Sequence, residues 1–294
     1  MKYFIALMVV TIWGSTFVSS KVLLNSGLMP ADIFFYRFFM AYFIMLSVSH
    51  KKMLADNLKD ELTFLGLGLM GGSIYFLTEN MALSYSTSAN VSILVCTTPI
   101  ITACVLAIFY KNERMKLRQI IGSIIAFLGV TLIVLNGQLI LHLNPLGDVL
   151  ALSAATTWAF YSLFMKRVMG RYKPEFITRK IFFYGVLTIL PYFAIVQPLD
   201  TDTSLLFKPY VLGNLIFLGV IASSLAYLMW NWALREIGTV RASNLLYTQT
   251  LVTMVLGSIV LGERITIMAI SGVAVLFLGV ILAVKTPKEK LSAE

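Results

Sequence analysis

The chain has 294 residues, of which 59% are hydrophobic and only 13% charged. A soluble globular domain carries about 25% charged residues, so this composition excludes the soluble classes and points to a bilayer protein. The net charge of +9 does not indicate a nucleic-acid partner, because Lys and Arg form no single patch or tail and sit between apolar stretches.

A membrane-spanning helix needs about 20 mostly apolar residues. Ten such stretches follow one another, at 3–24, 32–49, 62–84, 89–110 and 119–136, then at 147–166, 179–197, 211–234, 240–261 and 266–284. The first begins after Lys2 and has the apolar run of a secretory leader. Its length, its Trp13-Gly14 and Lys21, and the lack of a small-residue cleavage site predict a retained span. Cys96 and Cys104 fall in the fourth stretch, about 12 Å apart along a helix axis. That is too far for a disulfide, and they read as small core residues.

Charges between the stretches predict topology. If the spans alternate, one side holds Lys2; Lys51, Lys52 and Lys59; Lys111, Arg114, Lys116 and Arg118; Lys166, Arg167, Arg171, Lys173, Arg179 and Lys180; Arg235 and Arg241; and Lys285, Lys288 and Lys290. Only Lys21, Arg37, Lys208 and Arg264 fall elsewhere. The positive-inside rule then puts both termini in the cytoplasm.

The two halves repeat. Glu113-Arg114, Gly122 and Leu128-Gly129-Val130 reappear 150 positions later as Glu263-Arg264, Gly272 and Leu278-Gly279-Val280. Trp13 and Lys21 match Trp158 and Lys166, Asn80-Met81-Ala82-Leu83 matches Asn231-Trp232-Ala233-Leu234, and Pro30 and Arg37 match Pro174 and Arg179 across a two-residue gap. Five spans per copy is an odd number, so the second copy enters the membrane the other way up. The expected fold is all-α integral membrane: ten transmembrane helices as two inverted five-helix repeats, 1–136 and 147–285, joined by an external linker at 137–146. Ligand paths in such folds run between the copies.

These residues resemble the drug/metabolite transporter superfamily, and within it the ten-span EamA-type exporters. The resemblance rests on Trp13-Gly14-Ser15-Thr16-Phe17, on Arg37-Phe38, and on Ala82-Leu83-Ser84-Tyr85-Ser86 followed by Ser88-Ala89. It continues through Gly147-Asp148-Val149-Leu150-Ala151-Leu152, Trp158-Ala159-Phe160-Tyr161 and Gly262-Glu263, so that it covers nearly the whole chain. It implies export of small metabolites or amino acids across the bacterial inner membrane. There are departures. Lys111-Asn112-Glu113 replaces the usual glycine–glutamate pair of the first copy. Span 4 carries Pro99, but span 9 has Gln249 where family members often carry proline. That removes the proline-driven cause for a kink in span 9.

Glu79 is the only acid well inside a span, and Arg37 is the clearest base inside one. Both lie about 8 Å below the outer boundary, which permits contact. An unpaired charge there costs at least about 2.5–3.5 kcal/mol. Either Glu79 accepts protons or binds substrate, set by Arg37, or the two form a structural ion pair, or Arg37 snorkels to the surface. Asn80 and Asn231 occupy matched positions and either bind a ligand between the copies or glue helices together. Asn90, Asn244 and Gln249 have the same two readings. Trp13, Trp158, Tyr161, Tyr227 and Trp230 either line an aromatic pocket or fill a core. Thr97 and Thr98 precede Pro99, and carbonyls freed at that kink either face a cavity or are packed away.

Gly66-Leu67-Gly68-Leu69-Met70-Gly71 matches a dinucleotide fingerprint by letters, but inside a span it predicts a small-residue packing face. Asn90-Val91-Ser92 inside a span is discounted as a glycosylation site. His50 and His142 fall in loops, and no metal-ligand spacing or phosphate loop occurs. No cofactor and no enzyme activity are expected. ATP-driven transport would need a partner protein. The expected function is secondary active or facilitative export of small organic solutes by alternating access, with protons as one candidate coupling ion. The cavity is expected near the midplane, lined by spans 1, 3, 4, 6, 8 and 9. Its aromatic and amide-rich lining suits neutral or zwitterionic solutes, amino acids included. An importer or exchanger on the same fold and a scaffold without flux are the alternatives. The expected partners are the solute and the lipid bilayer; sequence leaves the oligomeric state open, and a monomer is consistent with it.

Overall fold

The computed structural model describes residues 1–86, 88–110, 116–135, 144–199, 202–261 and 265–284. Glu113, Arg114, Gly262, Glu263, Arg264, His142 and most of the linker lie outside the described residues. Among the described residues there is no strand, and helical rods follow the apolar stretches. They are α1 (Lys2–Asn25), α2 (Pro30–Val48), α3 (Leu58–Tyr85), α4 (Ser88–Val95 with Thr98–Phe109) and α5 (Leu117–Leu135). The second set is α6 (Pro145–Val168), α7 (Pro174–Ile195), α8 (Pro209–Ile237), α9 (Thr239–Leu245 with Gln249–Leu261) and α10 (Ile267–Val284). Eight rods are long and apolar enough to cross a membrane; α5 carries a shorter apolar stretch, Leu117–Ile133, and α9 is broken in its middle.

Several rods start earlier than apolarity alone predicts. α2, α6, α7 and α8 open on Pro30, Pro145, Pro174 and Pro209. Proline's missing N–H is no loss in a first turn, and its fixed φ suits one. Asn57 accepts from the Asp60 amide at 2.9 Å and Asn144 from the Gly147 amide at 3.1 Å, capping α3 and α6.

Contacts fix the rod directions. α1 and α8 run antiparallel: Lys2 pairs with Glu236 at 2.6 Å, Trp13 reaches Ala222, and Ser19 donates to Asn214 at 2.7 Å. α3 and α7 run parallel: Glu61 meets Lys180, Gly68 abuts Tyr184, and Ser73 lies 2.8 Å from Thr188. The glycine run of α3 is a packing face, because a Cβ on Gly71 would lie 2.2 Å from Tyr161 and one on Gly68 2.4 Å from Tyr184.

α5 and α10 meet backbone to backbone and antiparallel. A Cβ on Gly129 would lie 2.4 Å from the Leu276 nitrogen, and one on Gly279 2.2 Å from the Ala126 nitrogen. Close approach through small residues is how membrane helices gain dispersion contacts without a hydrophobic driving force. Gly279→Leu is expected to destabilise by about 1–3 kcal/mol through overpacking. Thermal unfolding in detergent checks this, and an unchanged midpoint would contradict the seam.

Four irregularities interrupt the rods. α3 widens to a π-helical segment at Leu69–Ser73, where Gly72 leaves helical geometry, and α8 does so at Phe217–Leu225. α4 is interrupted at Cys96 and Thr97, just before Pro99, and α9 by a 3-10 turn at Leu246–Thr248. The break in α9 therefore forms without proline. In both breaks threonine hydroxyls donate to carbonyls three residues back: Thr97 to Leu94 and Thr98 to Val95 in α4, and Thr248 to Leu245 in α9. Such back-bonding competes with the helical ladder and bends it.

Candidate functional site

A partly open cavity lies among α1, α2, α3, α4, α6, α8 and α9. Its walls are aromatic. Trp13, Trp158, Tyr227, Tyr75 and Phe76 line it, with Phe17, Val95 and Leu246 as the apolar remainder. The Trp13 and Trp158 rings stand edge to face at 5.3 Å and 88°, and Trp13 and Tyr227 meet at 5.5 Å. Tyr75 leans on Trp158 at 5.0 Å. Edge-to-face contacts hold the rings in fixed orientations.

Two wall residues spend their polar ends on the helix irregularities. Trp13 Nε1 donates to the Ala222 carbonyl at 3.0 Å, and the Tyr227 hydroxyl donates to the Gly71 carbonyl at 2.7 Å. Both carbonyls belong to the π-helical segments, where the i→i−4 ladder is disturbed. Trp158 Nε1 has no hydrogen-bond partner among the described residues. A buried indole N–H ordinarily finds one.

The polar lining is Arg37, Glu79, Thr16, Thr98 and Gln249. Arg37 is 1% and Glu79 6% exposed. Among the described residues no direct ion pair joins them, which was one of the alternatives the sequence left open. The Arg37 guanidinium lies 4.2 Å from the Phe76 ring centroid, and its Nε donates to Ser223 at 3.0 Å. Glu79 accepts from the Tyr75 hydroxyl at 2.9 Å. Each charge has a local partner, and both residues line the cavity. Nor does Arg37 snorkel, since its head is buried within the bundle.

Of the residues singled out in the sequence, the structure brings Trp13, Arg37, Glu79, Trp158, Tyr227 and Gln249 to one cavity. Asn80, Asn231 and Asn244 bond elsewhere. Asn80 donates to the Pro30 carbonyl at 3.2 Å. Asn231 accepts from Tyr161 at 2.6 Å and donates to Thr178 at 2.9 Å. Asn244 accepts from Ser123 at 2.9 Å. These amides tie helices together, because in a bilayer an amide without water takes protein partners. Tyr161 is consumed by Asn231, and Trp230 is fully buried against Trp13 at 5.1 Å; neither lines the cavity. The side chain of Asn90 lies outside what the structure describes. Thr16, Phe17, Tyr75 and Phe76 were not anticipated. Helical spacing could have found them, since residues three and four from Trp13 and from Glu79 share their faces.

The EamA-like transporter family model matches this chain at residues 1–135 and 145–285. The chain belongs to the EamA-like transporter family. An uncharacterized transporter of Archaeoglobus fulgidus is 28% identical over 97% of this chain and 99% of its own length. A probable amino-acid metabolite efflux pump of Escherichia coli K12 is 25% identical over 95% of this chain and 93% of its own. One of the same name from Salmonella typhimurium LT2 is 27% identical over 96% and 94%. A solved crystal structure superimposes with a TM-score of 0.76 over 96% of both chains at 15% identity, a likeness of fold. As a member of this family, the chain is a membrane transporter and not an enzyme.

Proposed function

We propose that this EamA-like protein exports small organic solutes, zwitterions such as amino acids among them, by secondary or facilitated alternating access. The observation that carries this is a cavity holding two buried, opposite and mutually unpaired charges, Arg37 and Glu79, between aromatic walls. A carboxylate suits the guanidinium, an ammonium suits Glu79, and an apolar body suits the rings. The names of the Escherichia coli and Salmonella typhimurium relatives fit such cargo.

The proposed architecture is two inverted five-helix copies in the bacterial inner membrane with both ends in the cytoplasm. Matched irregularities support it: the π-helical segments of α3 and α8, and the breaks of α4 and α9, recur about 150 residues apart. The two segments matched by the family model divide at the expected linker. The excess of Lys and Arg on one side supports the orientation.

The test is counterflow of radiolabelled amino acids into proteoliposomes containing only this chain. Saturable, protein-dependent exchange is expected for at least one zwitterion. A panel that exchanges no faster than protein-free liposomes would refute the reading.

A further inference from the structure

A second polar cluster lies well away from the cavity, at the membrane face where α1, α3 and α7 begin. Arg171, in the turn between α6 and α7, grips Asp60 of α3 with both guanidinium nitrogens at 2.7 and 2.6 Å. The Tyr172 hydroxyl donates to the same carboxylate at 2.8 Å. Next to it, Glu61 accepts from Lys180 and Tyr184 of α7. Arg179 and Lys180 also reach back to the chain between α2 and α3, donating to the Lys52 carbonyl at 2.6 Å and the Met53 carbonyl at 3.2 Å. Asp60, Lys180 and Arg179 are 4%, 3% and 1% exposed.

We propose that this cluster is a latch that shuts the carrier at the face bearing its N terminus and must release for solute to enter from there. The inference rests on the alternating-access reading above. Three observations carry it. Every bond named joins the first half of the chain to the second, so the cluster straddles the seam that alternating access has to open. The Asp60–Arg171 pair is charge-assisted and half of the Arg171 side chain is exposed, so its guanidinium can exchange the carboxylate for water and headgroups. The cavity lies deeper along the same rods: Tyr75 and Glu79 stand roughly 23 and 28 Å along α3 from Asp60, with Tyr161, Asn231 and Thr178 bonded across the intervening layer. A bonded cluster across the seam describes one conformer of a two-state device.

Leu246→Cys in a Cys96→Ser, Cys104→Ser background puts a single thiol in the cavity wall. Its reaction with a membrane-impermeant maleimide is measured from each face, using right-side-out and inside-out vesicles. With the latch intact, labelling from the N-terminal face should be slow. Asp60→Asn with Glu61→Gln should raise it by roughly tenfold or more, as expected when charge-assisted bonds are removed from one of two conformers. The exchange Asp60→Arg with Arg171→Asp should bring it back toward the parent rate. Should the carboxamide pair fail to accumulate in the membrane, Tyr172→Phe with Tyr184→Phe removes only the hydroxyls and should still give a rise of about threefold. Labelling from the N-terminal face that stays at the parent rate in both pairs would overturn the latch and leave the carrier reading standing. A rise of equal size from both faces would overturn it too, as general loosening. Flux in proteoliposomes decides the carrier reading separately.

Discussion

Glu79→Gln should abolish most transport while the protein still inserts and accumulates normally. The substitution keeps size, shape and one carbonyl acceptor for the Tyr75 hydroxyl, so packing around α3 survives. What it removes is the only carboxylate in the cavity wall among the described residues. A charge-assisted hydrogen bond is worth about 1.5–3 kcal/mol, which predicts a fall in transport of roughly 10- to 100-fold. Comparing initial rates in proteoliposomes at matched protein content measures this. Near-parental transport would remove Glu79 from the mechanism, both as solute ligand and as proton acceptor.

Arg37→Gln should cost both stability and transport, and its stability loss should be partly recovered by adding Glu79→Gln. Arg37 keeps a positive charge at membrane depth by stacking on Phe76 and donating to Ser223. Removing it leaves Glu79 as an uncompensated buried anion, and leaving one member of a buried charge set behind costs about 3–5 kcal/mol when the members touch. Because Arg37 and Glu79 do not touch, a smaller loss of about 1–3 kcal/mol is expected. The double variant has neither of these two charges in the cavity wall and should regain part of it, while transport stays low. A double-mutant cycle on detergent unfolding midpoints gives the coupling; strict additivity would show the two charges to be energetically independent. Arg37→Lys should not substitute, because an ammonium lacks the flat face that lies on Phe76.

Much of this molecule was legible before its coordinates. Apolar length and alternating charge gave the rods, and the residues that no bilayer tolerates without reason, Arg37 and Glu79, led to the cavity. The rod ends were less legible, because Pro30, Pro174 and the Asn57 cap set them rather than the first apolar residue. For the asparagines the sequence left two readings open, ligand binding and helix glue, for a physical reason. Asn80, Asn231 and Asn244 are conspicuous in a hydrophobic run, but sequence does not say whether a polar group has already found its partner. Asn231 is satisfied by Tyr161 and Thr178, residues 70 and 53 positions away. The break in α9 was hidden because proline is only one way to bend a helix, and Thr248 supplies another. Of the Asp60–Arg171 cluster, only Arg171, Arg179 and Lys180 appeared in the sequence reading, as part of a count of basic residues. Its members acquire meaning once α3 and α7 lie side by side.

The glycine seam between α5 and α10 has an evolutionary consequence. Its spacing is set by main-chain atoms, so it does not depend on the identity of the lipid-facing side chains around it. Ile124, Leu128, Leu278 and Ile281 are exposed on those two helices. Such positions are free to drift among aliphatic residues from one lineage to the next, provided that Gly122, Gly129, Gly272 and Gly279 stay small. Sequence divergence on these helices should therefore be high around four nearly fixed points, with the two axes kept at the same separation throughout.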